Sequence, residues 1–311
     1  MKHRLVIFGS SAFGLPAFSV MAKHPAMEVV GVISQPDRPQ GRHHELTPTP
    51  VSAWARESSL PLWQFPSLQE SAIQERLAAL RPDIALVAAY GLILPSAVLS
   101  IPSRGCINIH GSLLPRHRGA SPIAAAIAEG DAMAGISYML MDAGVDTGPV
   151  IHKYALPLHA DITHPELEQA LSDLAGKTIQ TAIDGWLDGT YVPVAQDNQL
   201  ATRCSRLTKE DGRAHWDSGR RLSRLIRAYT PWPGVWTEWN GQAIKLLAAT
   251  YEATTPTAKP GTVVQLEQRR WGIMCGDGII VPSLVQFPGK KPQPAATVPG
   301  SYPTFIGTQL N

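Results

Sequence analysis

Residues 105–116 read Gly105-Cys106-Ile107-Asn108-Ile109-His110-Gly111-Ser112-Leu113-Leu114-Pro115-Arg116. A short apolar run closed by Gly and Pro is the pattern of a strand passing into a turn. Residues i and i+2 of a strand share a face, so Asn108 and His110 project together at the strand's end. From an Asn-x-His alone, a structural hydrogen-bonding pair and a catalytic pair both stay open.

Upstream and downstream of this run, short apolar segments alternate with helical ones. Leu5–Phe8, Val29–Ile33, Ile84–Ala88, Ile107–Ile109 and Ile136–Met141 read as strands. Leu15–Lys23, Val51–Glu57, Ser67–Leu80, Ser121–Glu129 and Pro165–Leu187 carry helical composition or spacing. Such alternation places the first part of the chain in the α/β class, with a mostly parallel, Rossmann-like sheet covered by helices. Ligands in these sheets bind at the carboxyl ends of the strands, where Asn108 and His110 fall.

From Asp188 to about Asp211 apolar periodicity fades and Gly, Pro, Asn, Gln and Thr collect, as in a linker. Beyond it lie a basic helical stretch, Leu222–Ala228, and the short strand-like pieces Val235–Trp239, Ile244–Ala248, Thr262–Gln265, Gly272–Cys275 and Ile279–Leu284. Turn residues such as Asn240-Gly241 and Gly276-Asp277-Gly278 separate them, which points to a small β-barrel. The expected organisation is a catalytic domain over 1–189, a linker over 190–209 and a C-terminal domain over 210–311. The tail after Pro292, rich in Pro, Ala, Gly and Thr, is expected to be poorly ordered.

Asp146 follows the strand-like run Ile136–Met141. If that strand lies beside Asn108 and His110, a carboxylate, an imidazole and an amide converge. A positioned acid/base with a donor for a developing oxyanion is what acyl transfer requires. No Ser or Cys stands where a nucleophile is needed, so the attacking group belongs to the substrate. A carboxylate beside an imidazole is expected to raise its pKa and favour the donor form.

The run NIHGSLLPRHRGASPI (Asn108–Ile123), with VDTGP at Val145–Pro149, resembles the signature of formyltransferases that use 10-formyltetrahydrofolate. SQPDRPQGR at Ser34–Arg42 and PWPG at Pro231–Gly234 narrow the resemblance to members acting on initiator methionyl-tRNA. It runs from about Arg4 to about Lys291. It implies that Asn108 and His110 steady the oxyanion while Asp146 holds the imidazole and assists proton transfer. It implies folate contacts from Ser112, Leu113, Leu114 and Pro115, from Tyr90, Gly91, Leu92 and Ile93, and from Asp142 in the loop Met141–Val145. The barrel becomes OB-like, and Arg42 becomes the main contact to the acceptor end of the tRNA. Relatives often carry two lysines just after this arginine, where His43-His44-Glu45 stands here. Of the basic residues around the linker and the following helix, Arg206, Lys209 and Arg213 are taken as tRNA contacts. Trp232, Trp236 and Trp239, just beyond, read as core in preference to base-stacking platforms.

Composition sets the limits. The 311 residues are 44% hydrophobic and 17% charged, ordinary for a globular protein. A net charge of +2 does not by itself demand nucleic acid, so any RNA contact must come from uneven charge. Cys106, Cys204 and Cys275 show no metal-ligand spacing, and a sparse odd set suits a reducing cytosol. No metal, no membrane and no obligate protein partner is expected, and the location expected is cytoplasmic. The apolar run after Met1-Lys2-His3-Arg4 is too short for a signal peptide and reads as a first core strand. Gly9-Ser10-Ser11-Ala12-Phe13-Gly14 lacks the glycine spacing of a dinucleotide site and reads as a plain strand-to-helix turn.

Overall fold

A computed structural model describes residues 2–40, 45–267 and 270–311. Contacts divide the chain into two compact units. The first comprises 1–122, 133–156 and 168–204, and the second 123–132, 157–167 and 205–311. Along the chain the elements are β1 (His3–Gly9), α1 (Leu15–Ala22), β2 (Met27–Ser34), β3 (Arg38–Gln40), β4 (Glu45–Thr47), α2 (Pro50–Glu57), β5 (Leu62–Gln64), α3 (Ser71–Ala79), β6 (Ile84–Ala88), α4 (Ser96–Leu99), β7 (Cys106–His110), β8 (Arg118–Gly119), α5 (Pro122–Glu129), β9 (Met133–Leu140), β10 (Val150–Pro157), α6 (His164–Leu187) and β11 (Arg203–Cys204).

The first unit is built on a seven-stranded sheet of order β10-β9-β7-β6-β1-β2-β5. Strands β5, β2, β1, β6 and β7 run parallel, while β9 is antiparallel to β7. Every residue of β6 is buried, as expected for a central parallel strand covered on both faces. Helix α6 presents Leu171, Ala175, Ile179, Ala182 and Ile183, all fully buried. Their spacing of mostly four residues is one stripe of a helix. The stripe is fixed by two polar contacts. The Tyr138 hydroxyl donates to the Ala175 carbonyl at 3.0 Å, and the Ser172 hydroxyl donates to the Phe13 carbonyl at 2.8 Å.

The turn after β1 is a packing device. A Cβ at Gly9 or at Gly14 would lie 2.7 Å from the Phe18 ring of α1. These glycines let the helix approach the sheet, which supports the plain-turn reading. Ser10 and Ser11 serve the same turn. Ser10 Oγ donates to the Tyr90 carbonyl at 3.0 Å, and Ser11 Oγ accepts the Phe13 amide at 3.1 Å.

The second unit contains α7 (Gly219–Ala228), β12 (Val235–Trp239), β13 (Gln242–Glu252), β14 (Val263–Gln265), β15 (Trp271–Cys275), β16 (Gly278–Gln286), β17 (Gln293–Pro294) and α8 (Val298–Ser301). Its antiparallel sheet has the order β12-β13-β16-β15-β14, with β17 on β16. The result is the expected small OB-like barrel. Two irregularities in the β13–β16 register, between Leu246 and Ala249, bend the longest pair.

The tail does not behave as expected. Val298, Phe305 and Leu310 are buried, and the Trp239 and Trp271 rings meet Phe305 edge-on at 5.2 and 4.9 Å. Trp271 Nε1 donates to the Ala295 carbonyl at 2.7 Å, and the Asn311 carbonyl accepts from Thr237 Oγ1 at 2.9 Å. The Pro, Ala, Gly and Thr content hides a few widely spaced apolar anchors that close the barrel. Trp236 and Trp239 are buried as expected, whereas Trp232 is 55% exposed. Among the described residues no helix is long and apolar enough to cross a membrane.

Candidate active site

Strand β7 delivers Asn108 and His110 on one face at its carboxyl end. The loop between β9 and β10 carries Asp146 to them. Asn108 Nδ2 donates to Asp146 Oδ1 at 3.2 Å, and the same oxygen lies 3.6 Å from His110 Nδ1. Asp146 Oδ2 accepts the Gly119 amide at 2.8 Å. The three side chains expected to converge therefore meet at one carboxylate. Asp146 sits in the left-handed backbone region, with φ of +53°, a conformation that few non-glycine residues adopt without support.

His110 is buried, and its Nε2 lies 3.0 Å from the His117 carbonyl oxygen. A carbonyl can only accept, so Nε2 carries the hydrogen in the neutral ring. Nδ1 then holds a lone pair beside Asp146. Burial pushes the His110 pKa below the usual 6.5, against the smaller upward pull of Asp146 and the His117 carbonyl. The expected net rise is thus corrected. The carboxylate acts in the anticipated direction, but desolvation outweighs it and the resting imidazole is neutral.

The segment Gly111–Pro115 is an anchored turn. Ser112 Oγ donates to the Arg116 carbonyl at 2.6 Å. Ser137 Oγ donates to the Ser112 carbonyl at 2.7 Å and accepts the Leu114 amide at 3.0 Å. The Leu114 side chain is buried with Met139 and Val150, and its carbonyl accepts Lys153 Nζ at 3.0 Å. Leu113 and Pro115 are half-buried.

Tyr90, Gly91, Leu92 and Ile93 form the loop after β6, the neighbour of β7. Tyr90 is buried, its hydroxyl pushed up to about 12 by burial. Its carbonyl accepts from Ser10 and Gln35, the latter at 2.7 Å. Leu92 and Met141 pack against one shared cluster, which brings the β6 loop and the β9–β10 loop together. Ile93 is 82% exposed. Asp142 is turned into its own loop, where Oδ1 accepts the Gly144 amide at 3.0 Å and Thr147 Oγ1 at 2.7 Å.

Arg42, with His43 and His44, lies outside the described residues. Their flanks form the β3–β4 hairpin, whose foot is held by Asp37. That carboxylate accepts Arg56 Nη2 at 2.8 Å, Gln64 Nε2 at 2.6 Å and Ser52 Oγ at 3.0 Å. Burial pushes the Asp37 pKa up, but these donors together hold it below its ordinary value.

In the second unit Lys209 and Arg213 gather over the Trp236 ring at 5.7 and 5.2 Å. Arg213 also faces Glu210 and Glu238, each at 3.8 Å. Arg206 is exposed. Two cations of the same basic run are spent on the fold. Arg224 Nη1 donates to the Glu129 carbonyl at 2.9 Å, and Arg227 Nη1 to the Ile162 carbonyl at 3.0 Å.

Reasoning from the sequence did not find Gln196 or the role of Arg118. Gln196 Nε2 donates to the carbonyls of Asp146 and Gly148 at 2.9 and 2.7 Å, and Oε1 accepts Arg118 Nε at 2.9 Å. Gln196 lies in a stretch without periodicity, so only long-range contact reveals it. Among the described residues no group of His, Cys, Asp and Glu could hold a metal ion.

Comparison with known proteins agrees with this architecture. Residues 3–183 match the formyl transferase family, and residues 206–301 match the formyl transferase C-terminal domain. A methionyl-tRNA formyltransferase of Marinobacter nauticus is 41% identical over 291 residues, covering 93% of each chain. Among solved structures, an N-formyltransferase from Helicobacter canadensis, in complex with folinic acid and dTDP-3-aminofucose, superposes with a TM-score of 0.67 at 16% identity, covering 91% of this chain and 99% of that one. HypX from Aquifex aeolicus in complex with tetrahydrofolic acid gives 0.59 at 16% identity, over 98% of this chain and 48% of the other. At that identity the two structures speak for the fold alone. The fold, the two matched domains and the close relative agree, and the chain belongs to the formyltransferase family, within it to the methionyl-tRNA formyltransferases.

Proposed function

We propose that the chain transfers the formyl group of 10-formyltetrahydrofolate to the amino group of initiator methionyl-tRNA, giving N-formylmethionyl-tRNA for translation initiation. The observation that carries this reading is the meeting of Asn108, His110 and Asp146 at the end of a strand. Such a site suits a reaction in which the substrate's own amine attacks.

The neutral amine adds to the formyl carbon, and the carbonyl electron pair moves onto oxygen. An asparagine amide has two N–H groups. One of Asn108 goes to Asp146, and the other is available to the oxyanion. The amine's proton passes to His110 Nδ1, the ring nitrogen that holds a lone pair. The resulting imidazolium faces the Asp146 carboxylate, and its positive charge stabilises the oxyanion. Collapse breaks the bond from the formyl carbon to N10, which takes up the proton and leaves as tetrahydrofolate. Burial makes each of these electrostatic contributions stronger than it would be in water.

The folate fits the loops after β6 and β7 and the loop Met141–Val145. Ile93, so exposed for an isoleucine, with Leu92, offers an apolar wall. Ser112 and Leu114 shape the turn from within, and Leu113, Pro115, Tyr90, Gly91 and Asp142 complete the assigned contacts. On this reading residues 1–189 hold the folate and the reacting groups, 190–209 join the domains, and 210–311 bind tRNA. Arg42 reaches the acceptor end, and Arg206, Lys209 and Arg213 meet phosphates. The place of work is the cytoplasm.

The test is incubation with 10-formyltetrahydrofolate and one of four acceptors: methionyl-tRNA, free methionine, an amino sugar nucleotide, or water. Formylation of methionyl-tRNA alone is expected, and Arg42→Ala should cripple it while leaving folate binding unchanged. Transfer to the amino sugar, or hydrolysis at an equal rate without tRNA, would overturn the assignment.

A further inference from the structure

Residues 194–204 lie between the two matched family domains, which end at 183 and begin at 206. They nevertheless belong to the first compact unit. Their contacts concentrate on the loops that carry the reacting groups. Val194 exchanges both backbone hydrogen bonds with Val150, at 2.8 and 2.9 Å, just beyond the loop of Asp146. Gln196 then reaches the carbonyls of Asp146 and Gly148. Asn198 Oδ1 accepts Arg118 Nη1 at 2.9 Å. Thr202 Oγ1 accepts the His117 amide at 2.8 Å, and its carbonyl accepts the Arg118 amide at 2.9 Å. Strand β11 finally pairs in parallel with β8, so that Ala120 donates to the Cys204 carbonyl at 3.1 Å.

We propose that Val194–Cys204 is a strap that completes the active site, with Gln196 and Arg118 as positioning residues for Asp146. The inference rests on the reading of Asn108, His110 and Asp146 as the reacting trio. A linker need only span a distance, and this one would then show few contacts with buried groups. Here it grips two loops at once. One is the Asp146 loop, whose backbone needs support at its positive φ. The other holds the His117 carbonyl that sets the His110 tautomer.

Arg118 supplies the second observation. It is only 4% exposed, and the groups its guanidinium meets are neutral amides of the strap, those of Gln196 and Asn198. A buried guanidinium is costly unless its hydrogen bonds are made, and Arg118 bears part of that cost, since its Nη2 is buried without a partner. Its use here is to orient Gln196. With Oε1 held by Arg118 Nε, the amide nitrogen must face the two carbonyls, so the flip that would place oxygen against oxygen is disfavoured. The order of action is Arg118 on Gln196, and Gln196 on the Asp146 backbone.

The experiment is steady-state and single-turnover formylation by the full chain carrying Gln196→Met, Arg118→Met, both, or Asp146→Asn. A misplaced reacting group costs on the order of tenfold to a hundredfold in rate. Gln196→Met should lose that much in kcat, with KM for folate and for tRNA within about twofold of wild type, since uniform binding is untouched. Arg118→Met should lose less, and the double variant should be no slower than Gln196→Met alone, because the two act in series. Gln196→Glu, which keeps the size and the Arg118 contact but sets an acceptor against two carbonyls, should reproduce the kcat loss if Gln196→Met does not fold. Wild-type kcat in a folded Gln196 variant, or losses that multiply in the double variant, would overturn the strap. An active Asp146→Asn would instead overturn the trio and leave the strap as a structural element.

Discussion

The Gly119 amide donates to Asp146 Oδ2 at 2.8 Å, so the backbone of one loop fixes the carboxylate carried by another. Gly119 has φ of +123°, and a Cβ there would be driven onto the Cys204 carbonyl oxygen. Gly119→Ala should therefore cost about 1–3 kcal/mol in strain and should displace Asp146 as well. Denaturant melts and kcat measured on the same preparation check this. A variant as stable and as fast as wild type would show that the loop tolerates the side chain.

Loss of one oxyanion donor typically costs about 2.7–4 kcal/mol. Asn108→Ala and His110→Ala should each lose at least about a hundredfold in kcat. Asp146→Asn keeps the shape but removes the charge that supports the imidazolium, and should be similarly impaired while folded. Circular dichroism and turnover with methionyl-tRNA decide the matter. Near-normal turnover by folded His110→Ala would refute the assignment.

His110 also predicts a pH dependence of stability. Its folded pKa is depressed below 6.5, chiefly by burial. Between the two values the unfolded chain binds the proton and the folded chain does not. This contribution is therefore fully present above about 6.5 and is lost as pH falls toward the folded value. Urea unfolding at about pH 7.5 and about pH 5.5 should show wild type losing more stability than His110→Asn. An equal loss in both would place the acid sensitivity elsewhere.

Affinity for tRNA should divide the basic run into two groups. Arg206→Ala and Lys209→Ala should weaken KM for tRNA, and each lost phosphate contact should flatten the salt dependence by about 1 in log–log slope. Arg224→Ala and Arg227→Ala should lower stability and leave that slope unchanged, because those guanidinium groups bind the Glu129 and Ile162 carbonyls. Filter binding at several salt concentrations, beside thermal melts, distinguishes the two. A flatter slope in the Arg224 variant would move it into the RNA-contacting group.

The mostly parallel sheet was legible because β1, β2, β6, β7 and the antiparallel β9 are dense apolar runs bounded by turn residues. Strand β5 was missed, since Leu62–Gln64 is short and its pairing with β2 is a tertiary fact. Strand β10 was missed because His152, Lys153 and Tyr154 interrupt its apolar content, although from His152 on it alternates half-buried and exposed residues. The Asn108 and His110 pairing followed from strand periodicity alone. Gln196 could not, since it acts through a side chain about fifty positions from Asp146. Nor could the His110 pKa be signed from its neighbours, because burial depends on the whole fold.

The β8–β11 pairing bears on how formyltransferase parts can be recombined. A chimera that joins this catalytic half to a different C-terminal module would be cut, on domain matches alone, between 183 and 206. A junction just after Leu187 takes Gln196, Thr202 and Cys204 from the donor, and those side chains must then meet a foreign Arg118 and Gly119. A junction after Cys204 carries the whole grip along with the loops it holds. A junction at Ser205 therefore leaves one demand on the donor module, cations that meet the Glu129 and Ile162 carbonyls as Arg224 and Arg227 do.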